Sequence, residues 1–317
     1  MNPLISIIIP TYNHARFVVF AVESALAQTY ADREVIVVDD GSTDNTREVL
    51  SSYTDRIRYI HQENRGLSAA RNAGIRAAQG AFIAILDADD VWLPGKLDAQ
   101  MRVFRQYPET GAVSCIGEVV DDRSRGQRAE GRGRDLSSAT GALSRICKVG
   151  ELLCGNQFSG GSYGVVRREC FDKVGLFDEE LRSSEDWDMW LRIGCRWPLR
   201  IVTQVLASVR VSGDSMSAAK NADRMLANDL RVLDKLFADP ETKVNAYDRG
   251  VAYAYRYVAA AWAHHQVGNQ VKAREYILKA FLANPMGFVL RRGFCGLAVR
   301  IALGKGSGDR VRMKDER

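Results

Sequence analysis

Residues 81–90 read AFIAILDADD, six apolar positions followed by three carboxylates, Asp87, Asp89 and Asp90. Carboxylates this close repel one another and cost stability unless positive charge approaches. An isolated Asp after a strand is usually a turn former or helix cap, and that bland role suits Asp44 and Asp98. A D-x-D triplet needs more, because turning the chain does not require three acids. Two carboxylates meeting a divalent cation that also holds a diphosphate give a better account.

The elements that must position this cluster are legible from periodicity. LISIIIP (4–10) and EVIVV (34–38) are continuous β-branched runs of the kind buried on both faces of a sheet. Helical periodicity is expected over 14–28 and 45–53, with a short strand at 57–61. An alanine-rich helix is expected over 68–79, with Ser68 as its N-cap and Gly80 just past its end. Strands alternating with helices predict βαβ units and a mostly parallel, Rossmann-like α/β sheet. Ligands of such sheets bind beyond the carboxyl ends of the strands. Those ends carry Pro10-Thr11-Tyr12-Asn13, Asp39-Asp40-Gly41-Ser42 and Asp87-Ala88-Asp89-Asp90.

Size and composition narrow the class. The chain has 317 residues, is 46% hydrophobic and carries a net charge of +5. That suffices for one large domain and a smaller one, and is too mildly basic to point to nucleic acid. The six cysteines form no C-x-x-C pair, so neither a zinc nor a thioredoxin pattern exists. The N-terminus enters a strand without a cleavable apolar segment, and no apolar run is long enough to span a bilayer. The reading is a reducing, cytoplasmic protein.

SIIIPTYN (6–13), EVIVVDDGSTDNT (34–46), NRGLSAARNAG (64–74), ILDADD (85–90) and EDWDMWLR (185–192) resemble, in order and spacing, the successive signatures of glycosyltransferase family 2. The resemblance covers residues 4 to about 217 and implies an inverting enzyme of the GT-A fold. It places a catalytic domain over 1–217, with nucleotide-sugar binding over about 1–110 and the acceptor side over about 111–217. A helical extension occupies 218–317. By the same resemblance Pro10, Thr11, Tyr12 and Asn13 pack on the nucleoside. Asp40, or else Asp39, accepts a hydrogen bond from the base, which suits a uracil or thymine imide and hence a UDP-sugar. Asn64, Gly66, Ser68 and Arg71 lie near ribose and phosphates, Gly66 allowing close backbone approach and Arg71 offering a charged fork. Asp87 and Ala88 complete the donor contacts, Asp87 reaching ribose or metal, and Asp89 binds the metal directly. Inverting transfer also needs a carboxylate base opposite the leaving group. Asp186, beside Glu185, is the candidate. Ser183 or Ser184 is expected to cap a helix there, and its dipole to keep both acids ionised. The bland alternative is that both acids merely decorate a helix start.

One departure stands out. Where family members often carry a metal-completing histidine in a stretch like RxHxxSxS, this chain has Ser212 in VRVSGDSMS (209–217), with Asp214 as a possible substitute.

Other motifs compete. GGSYG (160–164) matches the nucleophile elbow of α/β-hydrolases, which would make Ser162 the nucleophile of a serine hydrolase. The next stretch, YGVVRREC, reads as a strand rather than the required helix, and the only later histidines are His264 and His265. No G-x-G-x-x-G or G-x-x-x-x-G-K-[ST] occurs, and Val91 and Trp92 spoil DADDVW as a calcium loop. Nucleotidyl transfer would want a glycine-rich basic opening loop, which PTYNHARF is not. A non-catalytic sugar-nucleotide binder remains the other alternative. His14 and His61 have no metal-spaced partner. Trp187, Trp190 and Trp197 read as core before they read as acceptor platforms. Residues 121–135 form a polar, glycine-punctuated loop, a possible acceptor-side flap. Residues 252–285 resemble one tetratricopeptide-type helix pair, which alone makes no solenoid and must pack on the catalytic domain or on a second subunit in a homodimer. From Met286 onward eight Arg/Lys face three acids. The stretch 286–304 reads equally as an interfacial helix on anionic lipid, making peripheral membrane contact, or as a helix docked on protein before a solvated tail. A glycan or lipid-linked acceptor for bacterial surface polysaccharide is what the resemblance implies.

Overall fold

A computed structural model describes residues 2–121, 143–158, 160–211 and 221–290. Most of the 121–135 loop, Ser212, Asp214 and the tail from 291 onward lie outside the described residues. The chain divides into two compact units, Met1–Leu152 with Asn156–Ser212, and Leu153–Gly155 with Gly213–Arg317.

The first unit opens with β1 (Ile5–Thr11), α1 (Val18–Leu26), β2 (Arg33–Asp39), α2 (Thr46–Leu50), β3 (Arg58–His61), α3 (Leu67–Ala77) and β4 (Phe82–Ile85). It continues with β5 (Val91–Trp92), α4 (Lys96–Gln106), β6 (Ala112–Asp121), β7 (Ser144–Cys147) and α5 (Val149–Cys154). A 3₁₀ turn (Gly161–Tyr163) then leads into β8 (Val165–Arg167), α6 (Arg168–Val174), α7 (Glu185–Gly194) and β9 (Leu199–Val211). One sheet runs β3-β2-β1-β4-β8-β6-β9-β5, with β7 on β9. The β3-β2-β1-β4 half is parallel throughout, as the βαβ pattern predicts. The other half is mixed: β8 runs antiparallel to both β4 and β6, while β6 and β9 are parallel.

The parallel half shows why the two isoleucine- and valine-rich runs lack alternation. Every residue of β1 is buried, because helices cover both faces of the sheet. The chain steps outward from β1 to β2 and β3, then returns to place β4 on the other side of β1. The order therefore reverses between β1 and β4, and the crevice there opens beyond the ends carrying Thr11-Tyr12-Asn13 and Asp87-Ala88-Asp89.

Two expected boundaries differ. Helix α3 begins at Leu67 with Gly66 in the N-cap position, not Ser68, and Ala78 stands at its C-cap. Gly66 has φ +94°, a conformation a serine would adopt only under strain, and its backbone N–H goes to Asp40. Helix α1 starts later than the periodicity suggests, because Asn13 turns left-handed at φ 55° before it.

The second unit contains α8 (Ala222–Ala238), α9 (Ala246–Gln266), α10 (Gln270–Ala283) and α11 (Pro285–Leu290). Helices α9 and α10 are consecutive in the stretch 246–283 and share a small apolar core. They are joined through Val267-Gly268-Asn269 and packed on Ala254, Val258, Ala261, Ala273 and Ala280. Asn245 and Asn269 cap them, each accepting from the backbone N–H three residues on. Among the described residues no helix is long and apolar enough to cross a membrane.

Candidate active site

The rim of the parallel half is built by carboxylates that bind the chain's own backbone. Asp39 Oδ1 accepts from Ser42 N (2.8 Å) and Oδ2 from the Tyr59 hydroxyl (2.5 Å). Asp40 Oδ1 accepts from Gln62 Nε2 (2.7 Å) and Arg65 N (3.0 Å), and Oδ2 from Gly66 N (2.7 Å). Among the described residues Asp39 thus meets two donors and Asp40 three, against about four acceptor positions on a carboxylate. Asn13 pins the β1 loop to the next one: its Oδ1 accepts from Thr43 N (2.7 Å), and its backbone N–H donates to Ser42 Oγ (3.0 Å). Asp44 has the bland role expected of it, accepting from Thr46 N (3.0 Å) and Ala15 N (3.0 Å).

Around this rim several polar atoms are buried without a partner among the described residues: Thr11 Oγ1, Ser68 Oγ and His14 Nδ1. A buried polar atom left unpaired carries a desolvation cost of about 1–3 kcal/mol. Three of them at one strand-end crevice fit a site completed by a polar ligand. Pro10 and Ala88 are buried beside it, while Tyr12 is 45% exposed and Asn64 is exposed on the loop before α3.

The three acids of the DADD stretch divide. Asp90 is 5% exposed and accepts from Ser162 Oγ (2.6 Å) and Arg210 N (3.0 Å). Burial, then the charges of Asp87 and Asp89, push its carboxyl well up. Asp87 and Asp89 are partly exposed. Asp89 meets no side-chain hydrogen-bond donor among the described residues, and burial and the charge of Asp87 raise its pKa against the pull of His14 and Arg210. Two hard carboxylates that repel each other and reach solvent fit Mg²⁺ or Mn²⁺. No cluster of three or more His, Cys, Asp or Glu able to hold a metal occurs among the described residues, so the remaining ligands would come from phosphates and water.

Arg71 organises the centre. It is 2% exposed, donating through Nη2 to Asp87 Oδ1 (2.9 Å) and through Nη1 to Glu185 Oε1 (2.7 Å). Burial alone would weaken the guanidinium's hold on its proton; Asp87 and Glu185 together outweigh that. The sequence places Arg71 among the phosphate contacts; in the structure its Nη atoms grip two carboxylates.

Helix α7 presents Glu185 and Asp186 in its first turn as expected, with a difference at the cap. Ser184 takes the N-cap position in the left-handed region (φ 64°) and makes no capping hydrogen bond with its side chain. The expectation that the helix dipole keeps Asp186 ionised also fails. Burial and the adjacent Glu185 push its pKa up to about 7 against Arg71 and the Trp187 N–H. Its Oδ2 accepts from Asn156 Nδ2 (3.0 Å) and its Oδ1 from Trp187 N (2.7 Å). Asn156 lies in a loop with no motif around it, and nothing in the sequence marks it. Trp187 and Trp190 are core, Trp187 donating to Leu152 O (2.7 Å) and Trp190 packing on Phe158.

Ser162 sits in the 3₁₀ turn before β8, so the strand-to-helix geometry of a nucleophile elbow is absent there. Its hydroxyl belongs to a residue 1% exposed, donating to Asp90 and accepting from Asp87 N (2.9 Å), with no histidine on it. The hydrolase reading fails on that geometry.

The profile of glycosyl transferase family 2 matches residues 6–175. The chain belongs to that family. An uncharacterized glycosyltransferase of Rickettsia prowazekii is 34% identical over 192 residues, 60% of this chain; the match spans 58% of that protein's length. Among solved structures, Staphylococcus aureus TarS 1–349 in complex with UDP-GlcNAc aligns over 98% of this glycosyltransferase and 94% of TarS 1–349, with a TM-score of 0.67 at 14% identity. The mannosyltransferase PcManGT of Pyrobaculum calidifontis, in complex with GDP-Man and Mn²⁺, aligns over 96% and 85% with a TM-score of 0.60 at 21% identity. At such identities the likeness shows the fold, a GT-A type α/β architecture with a helical C-terminal extension.

Proposed function

We propose that this glycosyltransferase moves a hexose from a UDP-sugar, with inversion, onto a glycan or lipid-linked acceptor of a bacterial surface polysaccharide. One observation carries the reading. Buried Arg71 bonds Asp87 beside Asp89 and Glu185 beside Asp186, so the acidic pair at the β4 end and the acid on α7 share one ion-paired frame.

The chemistry derives from that frame. Asp186 takes the proton of the acceptor hydroxyl as it attacks the anomeric carbon. A base with a pKa near the working pH balances availability against driving force, and about 7 meets that condition. Asn156 and the Trp187 N–H orient the carboxylate, and Glu185 sets its basicity while anchoring Arg71. Asp89 and Asp87 would hold a Mn²⁺ or Mg²⁺ ion, which when bound would supply positive charge to neutralise the departing diphosphate. The Asp39–Asp40 pair meets the uracil imide. Tyr12 and Asn64 line the nucleoside, and Thr11 and Ser68 offer their unpaired hydroxyls to the nucleotide. The nucleotide-sugar complexes of TarS and PcManGT, and the Mn²⁺ in the latter, support a donor of this class. Free thiols at all five described cysteines fit a cytoplasmic protein, and the basic tail fits peripheral contact with an anionic membrane. The helix pair over 246–283 offers a surface for a homodimer.

The test is incubation of the full chain with a panel of UDP-sugars and Mn²⁺, following UDP release and the anomer of the transferred or hydrolysed sugar by proton NMR. An α-linked donor giving a β product supports the reading. Retention, or no UDP release from any donor, contradicts it.

A further inference from the structure

We infer that Ser162 is a positioning residue for the cation pair: its hydroxyl latches Asp90 and the Asp87 backbone together and thereby fixes where the Asp87 and Asp89 carboxylates point. The inference rests on the reading of Asp87 and Asp89 as the metal pair. It also answers why a third acid stands in the cluster, since Asp90 faces inward and serves as the fixed end of the latch.

Ser162 Oγ donates to Asp90 Oδ2 (2.6 Å) and accepts from Asp87 N (2.9 Å), spanning the loop that carries Asp89. Asp90 is held from the other side, its Oδ1 accepting from Arg210 N (3.0 Å) on β9. The turn that bears Ser162 is itself anchored. Trp92 Nε1 donates to Ser162 O (2.7 Å), and Gln100 Nε2 donates to Tyr163 O (2.8 Å) and Val113 O (2.7 Å). Lys96 Nζ, fully buried, orients that amide by donating to Gln100 Oε1 (2.9 Å). On its opposite side the turn meets Arg71: a Cβ on Gly161 would stand 2.9 Å from Arg71 Nη2. The turn is thus wedged between the arginine that grips Asp87 and the acid next to Asp89. A buried hydrogen-bond network of this kind is rigid, and small displacements of ligands held by it are felt at the cation.

The experiment is titration of the full chain with Mn²⁺ alone, followed by the EPR signal of free Mn²⁺, in wild type, Ser162→Ala, Asp89→Ala and the double variant. Losing the two hydrogen bonds that tie Ser162 to the ligand-bearing loop is expected to weaken Mn²⁺ binding by about tenfold or more. That loss is expected to shrink in the Asp89→Ala background, where Asp87 alone remains for Ser162 to position. The far-ultraviolet circular dichroism and melting temperature of each variant are expected to match wild type, which separates the latch from a general loss of structure. Ser162→Cys, which keeps the volume and weakens both bonds, serves if the alanine variant does not fold, and is expected to lose affinity in the same direction. Unchanged Mn²⁺ affinity in the folded serine variants overturns the latch while leaving the metal pair standing. So does a loss of the same size without Asp89. Wild type that binds no Mn²⁺ overturns the metal pair and the latch with it.

Discussion

At the scale of single residues, Asp186 and Asp89 are both pushed up by burial and then by a neighbouring carboxylate, while the roles proposed for them differ. Asp186 is raised by burial and Glu185, so its ionised form is disfavoured in the folded protein. Between the ordinary carboxylate range and about pH 7 the folded state holds a proton that the unfolded state has lost, so stability falls as pH rises through that window. Asp186→Asn removes the charge that causes this. Its melting temperature relative to wild type is therefore expected to be higher at about pH 8 than at about pH 5, checked by calorimetry at both pH values. The same substitution is expected to leave UDP affinity intact and to lower kcat by on the order of 10²-fold or more. In wild type, kcat is expected to fall as pH drops below about 7; a flat profile across that value would remove Asp186 as base. Asp89→Ala is expected to abolish the Mn²⁺-dependent part of UDP affinity with little change in melting temperature, because its carboxylate accepts no hydrogen bond from another side chain among the described residues. Arg71 differs from both: Arg71→Met strands Asp87 and Glu185 without their partner. Removing one member of a buried ion pair costs about 3–5 kcal/mol, so a large drop in melting temperature is expected alongside lost activity.

At the scale of elements, close packing of α3 on β1 fixes how Arg71 approaches Asp87. A Cβ on Gly74 would stand 2.3 Å from Ile8 Cγ2. Gly74→Ala is expected to cost about 1–3 kcal/mol in urea unfolding through overpacking, and to weaken UDP binding by displacing the helix. In the helical unit, Asp223 on α8 accepts from His264 on α9 (2.8 Å) and from Tyr276 (2.8 Å) and Lys272 on α10. The Lys272 hydrogen bond is the largest cause holding its carboxyl well below the usual range. The contribution is present above about pH 4 and is lost as pH falls through the folded pKa. Since the group is half exposed, Asp223→Asn is expected to cost only about 1 kcal/mol at pH 7, read from urea unfolding.

The strands and helices of the parallel half are legible in the sequence because burial on both faces leaves continuous apolar runs, as in β1 and β2, and because acids cluster at their ends. The division of labour within the acids is not. Nothing in the spacing tells that Asp90 faces inward and Asp89 outward, or that Arg71 bridges Asp87, 16 positions on, and Glu185, 114 positions on. Helix α7 lies where its sequence pattern puts it, but the charge state of Asp186 departs from expectation, since burial is a tertiary property that outweighs the local dipole. The Gly66 cap is hidden because the preference for serine at N-caps yields to a backbone N–H that Asp40 requires.

At the scale of the molecule, the chain forms two compact units. The α/β unit carries every residue assigned to donor, cation and base, and the helical unit continues into a basic tail with eight Arg/Lys from Met286 onward. If that tail meets anionic lipid, the full chain is expected to sediment with vesicles of anionic composition at low salt and to be released at high salt. Replacing Arg291, Arg292 and Arg300 with Glu is expected to abolish the binding. The decisive measurement for the proposed transfer is calorimetric titration of the full chain with UDP, dTDP, GDP and ADP, each with Mn²⁺ and then with chelator. UDP is expected to bind, and to lose that binding on chelation and in Asp89→Ala. Binding of none of the four diphosphates would contradict the donor site at the β1–β4 crevice, and with it the proposed transfer.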